Sequence, residues 1–246
     1  MLDAPLYKEV KQSLTRGLAG GEWRPGEALP SESALALRFK VSIGTVRKAV
    51  DELVAERAVV RQQGRGTFVS THDAKRLLFH YFHIVPRSGE RTYPVTRTLA
   101  FRRDRALAAE ATRLGIAPGD AVWRIRNLLS LDGAPAIVDD IVLPRARFPD
   151  LTERIFTQRD NTIYNLYQSR YGLNVLRISE RLRATLADAA TAKLLAVKRG
   201  APLLEIDRVA RTFHDAPVEL RRSLVNTARY DYHSDLGKHE AAVSAG

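Results

Sequence analysis

The segment Val41-Ser42-Ile43-Gly44-Thr45-Val46-Arg47-Lys48 gathers a helix-capping hydroxyl, a glycine and two cations within eight residues. With Ser42 as N-cap, the following helix turns Val46, Ala49 or Val50, and Leu53 inward. That leaves Ile43, Gly44, Thr45, Arg47, Lys48 and Asp51 outside. Hydroxyl, guanidinium and ammonium groups then surround backbone that is free to approach a phosphate, as on a helix that reads bases from its N-terminal end. A little further on, Val59-Val60-Arg61-Gln62-Gln63 and Thr67-Phe68-Val69 read as two short strands around Gly64-Arg65-Gly66, a hairpin with a basic tip. Taken singly, a capped helix with exposed cations is usually only a solvated face, and QGRG only a turn. Their order and spacing carry the signal. A second constellation is Trp123-Arg124-Ile125-Arg126: strand alternation puts both arginines on one face, where they repel unless an anion lies between or opposite them. The anion could be a ligand or carboxylates of the sheet such as Glu205 and Asp207.

These groups need elements to hold them. Pro5 opens a first helix with an apolar stripe of Leu6, Val10, Leu14 and Leu18, stopped by Gly20-Gly21. Ser31 caps a second, with Glu32 at its positive end and Leu35, Leu37 and Phe39 as the buried side. Helix, tight turn, helix and hairpin make one unit over 1–70. A polar linker at 71–77 leads to a β-rich unit at 78–240, with a disordered tail at 241–246. In the second unit two stretches echo each other about 81 residues apart, LAAEATRLGIAPGDAVWRIRNL and LADAATAKLLAVKRGAPLLEIDRV. Each reads as a short helix, a turn and a strand, and each is followed by a second turn, Asp132-Gly133-Ala134-Pro135 or His214-Asp215-Ala216-Pro217. A duplicated helix-hairpin unit around one antiparallel sheet, with two short helices, is the expected architecture, and the fold class is α+β.

The 246 residues carry 39 Lys+Arg against 28 Asp+Glu, a formal charge of +11 that favours a polyanionic partner. The excess is spread over both units, so charge alone does not locate a nucleic-acid site. The absence of cysteine removes disulfides, thiolate zinc sites and Cys nucleophiles, and fits a reducing compartment. No apolar run reaches the roughly 18–20 residues of a membrane span, and the N-terminus lacks a secretory h-region, so a cytoplasmic protein without membrane partners is expected. The six histidines, His72, His80, His83, His214, His233 and His239, have no metal-ligand spacing. Neither a Ser-His-Asp nor an HExxH arrangement occurs. No enzyme and no cofactor is expected.

The stretch PGEALPSESALALRFKVSIGTVRKAVDELVAERAVVRQQGRGTFV resembles the winged helix-turn-helix domain of the GntR family of bacterial transcription regulators. The words YPVTRTLAFRR, DGAPAIVDDIVLP, NLYQSRYGLNV and DAPVELRRSLVNTARYDY resemble the UTRA effector-binding domain, similar in fold to chorismate lyase, of the HutC-like subfamily. The resemblance implies a ligand-responsive regulator, most often a repressor, that binds a pseudo-palindromic operator as a homodimer. It implies DNA contacts at Ser42, Ile43, Thr45, Arg47, Lys48, Gln63, Gly64 and Arg65. It also implies a small anionic effector held by Arg124 and Arg126 together with Thr96, Asp139, Glu219, Ser223 and Tyr230. Three positions depart from the family pattern. Ile43 and Ser33 stand where Arg is usual, which implies a different operator, and Asp139 stands where Glu is common. The competing functions are a chorismate-lyase-like enzyme, which fold similarity alone does not establish, and a sequence-tolerant nucleic-acid binder.

Overall fold

A computed structural model describes residues 5–72, 81–87, 92–160 and 162–234. His80, His239, most of the linker expected at 71–77 and the tail expected at 241–246 lie outside the described residues. Helix α1 (Leu6–Ala19) packs Val10, Leu14 and Leu18 against Val46, Ala49, Val50 and Leu53 of α3 (Ile43–Ala55), with α2 (Glu32–Phe39) between them in the chain. Leu6, expected in the α1 stripe, is exposed because it occupies the first helical position, where no neighbouring turn covers it. On α2, Leu35 is buried but Leu37 is 83% exposed, against expectation. Two residues along a helix rotate a side chain by about 200°, so Leu37 lies opposite Leu35, and Ala36 fills the inward place. Strands β1 (Val59–Gln62) and β2 (Gly66–Val69) close the unit as an antiparallel wing.

The second unit is built on a six-stranded antiparallel sheet of order β4-β5-β6-β9-β8-β7. The first copy of the repeat runs β4 (Val95–Arg105), α4 (Ala108–Leu114), β5 (Ala121–Leu131) and β6 (Ala134–Pro144). After α5 (Glu153–Thr157) and α6 (Ile163–Tyr171), the second copy runs β7 (Arg177–Leu186), α7 (Ala189–Leu195), β8 (Pro202–Arg211) and β9 (Pro217–Asn226). Ala108 and Ala189 open the matching helices and Ala121 and Pro202 the matching strands, about 81 residues apart in each case. The two copies meet at the β6–β9 pair, so the sheet has an approximate internal two-fold. Both hairpin turns use positive φ, at Asp132 and Gly133 in one copy and at His214 and Asp215 in the other, as the twist of a tight hairpin requires. A small pair of β3 (Ile84–Pro86) and β10 (Tyr230–Tyr232) flanks the sheet.

The sheet is covered on both faces. Val122, Leu128, Val138, Val142, Leu203, Val209, Leu220 and Leu224 face α4 and α7. Trp123, Ile125, Ile141 and Leu143 face α5 and α6, two helices that the two-helix expectation did not include. They were missed because they are short and α6 mixes polar with apolar positions, burying Gln168 as well as Tyr164, Leu166 and Tyr167, so no clean amphipathic stripe marks it.

The two units touch, and Leu176 packs at the edge of the helical unit's core. Phe213, in the β8–β9 turn, packs into the core of the helical unit. On α6, the Gln168 amide donates to the Ser70 carbonyl at 2.8 Å and its oxygen accepts from the His72 amide at 2.9 Å. No helix among the described residues is long and apolar enough to cross a membrane.

Candidate functional site

In the helical unit, Ser42 Oγ accepts from the Thr45 amide at 3.1 Å and lies 2.8 Å from Thr45 Oγ1, fixing the first turn of α3. Ile43 stands half-exposed at the first helical position. A groove of about 570 Å³ runs between the start of α2, the outer face of α3 and the wing, and Ile43, Arg47, Gln63 and Gly64 line it together with Ser31 and Glu32. Arg47 is held across the groove by Glu32, Nε to Oε2 at 2.9 Å, and Arg61 approaches the other Glu32 oxygen at 3.1 Å. Glu32 thus aligns two guanidiniums along one wall. In the wing, Gly64 and Gly66 have φ of 70° and 115°, backbone that L side chains rarely adopt, and a Cβ at either would meet nothing within 4 Å. The tip therefore presents bare backbone beside Arg65, whose guanidinium leans 5.9 Å from the Phe68 ring. Lys48 is directed sideways, with Nζ 4.1 Å from the Tyr7 ring centroid, outside the groove that Arg47 lines.

In the second unit, a cavity of about 320 Å³ opens on the α5/α6 face of the sheet. Tyr81, Tyr93, Thr96, Arg159, Tyr164, Arg208 and Arg221 are on its walls. Strand register explains the clustering. Asp139 pairs with Ser223, Arg221 with Arg208 and Arg208 with Glu180, while Ala210 pairs with Glu219, so these side chains share one face. They form a buried ionic ladder. Arg221 makes a two-pronged contact with Glu219 at 2.9 and 3.0 Å and reaches Asp139 at 3.3 Å, and Ser223 donates to the other Asp139 oxygen at 2.6 Å. Arg208 donates to Glu180 at 2.7 Å and to the Tyr81 carbonyl at 2.6 Å, and lies 3.4 Å from the Tyr164 hydroxyl. Tyr167 donates to Glu219 at 2.7 Å.

The electrostatics follow from burial. Desolvation pushes the Asp139 carboxyl up, against the pull of Arg221. Burial and then the Glu219 charge push the Tyr164 and Tyr167 phenols up, keeping both as donors. Burial works against the charges of Arg208 and Arg221, but nearby carboxylates and phenols outweigh it and hold both above the ordinary range. Arg159 differs. Burial, opposed by Tyr167 and reinforced by the Arg221 charge, holds it below the ordinary range.

Of the residues expected to bind a ligand, Thr96 is on the cavity wall, and Asp139, Glu219 and Ser223 lie in the ladder behind Arg221. Tyr230 is elsewhere: its hydroxyl donates to the Leu131 carbonyl at 3.1 Å, tying β10 to the first hairpin. Arg124 and Arg126 do share a strand face, but it is the α4/α7 face, and neither lines the cavity. Arg124 donates to Asp104 at 2.8 Å and to Glu110 at 2.8 and 3.0 Å, and Arg126 pairs with Asp140 at 2.7 and 2.9 Å. The partners weighed from sequence, Glu205 and Asp207, are not theirs. β5 lies between β4 and β6, whereas β8 is three places along the sheet, so Glu205 takes Arg183 and Arg222 and Asp207 takes Arg113.

Sequence reasoning missed Arg159, Arg208, Arg221 and Tyr164. A signal for Arg221 was present: once Glu219 and Ser223 are assigned to one strand face, Arg221 between them must share it. Among the described residues no group of His, Asp or Glu is arranged to hold a metal ion.

A helix-turn-helix with a wing, joined to a sheet domain with a charged cavity, is an architecture suited to a DNA-binding regulator. Residues 6–69 match the description "Bacterial regulatory proteins, gntR family", and residues 90–231 match the UTRA domain. The chain belongs to the GntR family of transcriptional regulators, in the branch that carries a UTRA domain. It is 28% identical over 235 residues to the "Probable fructoselysine utilization operon transcriptional repressor" of Escherichia coli K12, covering 95% of this chain and 96% of that one. It is 30% identical over 209 residues to the histidine utilization repressor of Pseudomonas putida, covering 83% and 82%. Among solved structures, it is similar to the ligand-binding domain of a GntR-family regulator from Bordetella bronchiseptica, at TM-score 0.61 and 36% identity, over 65% of this chain and 99% of that one. These relatives are regulators of transcription, and the chain is read as one, not as an enzyme.

Proposed function

We propose that this chain is a repressor that binds a pseudo-palindromic operator as a homodimer and answers to a small anion in the Arg159, Arg208 and Arg221 cavity. The observation that carries the reading is the physical path from cavity to DNA reader. Tyr164 lines the cavity, and the His72 ring at the start of the linker stands edge-on to it with centroids 6.1 Å apart. One turn along the same helix, Gln168 clasps Ser70 and His72. A ligand that repositions Tyr164 or α6 acts directly on the chain leaving the wing. Such coupling typically amounts to about 1–3 kcal/mol, or 5- to 150-fold in operator affinity. The names of the relatives support the reading, since both are repressors of utilisation systems for small molecules. Dimerisation is supported by exposed apolar side chains on both edge strands of the sheet, Val95 on β4 and Leu182 and Leu186 on β7. Because the partner is DNA, the cytoplasm is the expected compartment.

Selection of duplexes from a random pool by the full-length chain tests this. Enriched sequences should contain two inverted half-sites about 10–10.5 bp apart, or a multiple of that, with two chains bound per duplex. A single asymmetric site with one chain bound contradicts the dimeric reading, and no enrichment at all contradicts sequence-specific binding.

A further inference from the structure

The three cavity arginines are not equivalent. Every donor nitrogen of Arg221 is engaged by Glu219 or Asp139, and those of Arg208 by Glu180, the Tyr81 carbonyl and the Tyr164 hydroxyl. Arg159 has no ion pair with any carboxylate among the described residues. One of its terminal nitrogens donates to the Phe156 carbonyl, its guanidinium lies over the Phe156 ring at 4.9 Å from the centroid, and its Nε is buried without a hydrogen-bond partner. An unsatisfied buried donor on a cation is costly to retain and points to a group that fills the site.

The charge balance limits what that group can be. Glu180 answers Arg208, and Glu219 with Asp139 answers Arg221, so the ladder is already neutral or slightly acidic when Arg159 is set aside. Asp160, exposed on the cavity wall, adds a further negative charge. A second negative charge on the ligand would have to take Arg208 or Arg221 from a carboxylate that would then stay buried and unpaired. The rest of the wall is mostly aromatic and apolar, with Phe82, Pro94, Leu129 and Ile163 beside the tyrosines, and Thr96 and Thr162 are its hydroxyl residues. Its volume lies at the small end for small-molecule sites.

We propose that the cavity takes a monocarboxylate on a flat, mostly apolar body, an aryl or α,β-unsaturated acid, with Arg159 gripping the carboxylate. This rests on the reading of the cavity as the effector site and names its ligand class. A guanidinium matches a carboxylate through two parallel N–H···O bonds, and the tyrosine rings supply faces for a planar body. Phosphorylated sugars fit less well, because they carry a second charge and a shell of hydroxyls against a wall that is mostly aromatic and apolar.

The test uses the full-length chain and measures melting temperature and calorimetric Kd with benzoate, trans-cinnamate, phenyl phosphate and glucose 6-phosphate. At least one of the two carboxylates should bind ten times more tightly than phenyl phosphate, the same ring with a dianion. Both Arg159→Ala and Arg159→Met should weaken that carboxylate at least tenfold without lowering the melting temperature of the unliganded protein. Met keeps the bulk of the stem, so it serves if the Ala variant folds poorly. If a phosphate ester binds more tightly and is lost with Arg159, the ligand class is overturned while the anion site stands. If none of the four binds, or binding ignores Arg159, both the class and the cavity reading fall.

Discussion

Replacing Arg221 with Ala is expected to destabilise the sheet domain by about 3–5 kcal/mol, the usual cost of removing one partner from a buried ionic network. Glu219 is fully buried and Asp139 nearly so, and both would lose their guanidinium. The loss should appear in thermal unfolding as a fall of about 6–20 °C in the transition of this domain. Arg221→Lys should fall between, since an ammonium restores the charge but not the two-pronged contact with Glu219. A change of only a degree or two for Arg221→Ala would mean that water reaches the ladder and that the carboxylates are not desolvated.

Replacing Arg47 with Ala is expected to weaken operator binding by about 1–3 kcal/mol, or roughly 5- to 150-fold. Arg47 is the cation of α3 that lines the groove between α2, α3 and the wing, and Glu32 holds its Nε in place. Affinities for operator and for random duplex across a salt series distinguish its role. If Arg47 reads a base, only operator binding suffers. If it holds a phosphate, both weaken and the salt slope falls by about one. Lys48→Ala, by contrast, should change operator affinity less, because that ammonium is occupied against Tyr7. Unchanged binding for Arg47→Ala would remove the residue from the interface.

The helical unit was legible because its signals are local. Ser31 and Ser42 cap, apolar residues recur at helical spacing, and Gly64-Arg65-Gly66 turns a hairpin, each within a few residues of what it organises. The slip at Leu37 came from counting apolar residues without following the 100° step between them. In the sheet domain the repeat gave the elements, and alternation correctly placed Arg124 with Arg126. Which face of the sheet carries a cavity is set by strand order and by helices packing from far along the chain, and neither is written in a strand's own alternation. Arg159 sits just after α5 in a stretch with no periodicity, so its role emerges only when α6 folds back over the sheet.

The central claim is that the arginine cavity controls the DNA reader. The most direct test is the Kd of the full-length chain for its selected operator, with and without a saturating carboxylate ligand, in the unaltered protein and in Arg159→Met. The account predicts that the ligand shifts operator affinity by about 5- to 150-fold in the unaltered protein and by less than twofold in the variant, whose unliganded operator affinity stays the same. An equal ligand effect in both proteins, or none in either despite saturation of the unaltered protein, would contradict it.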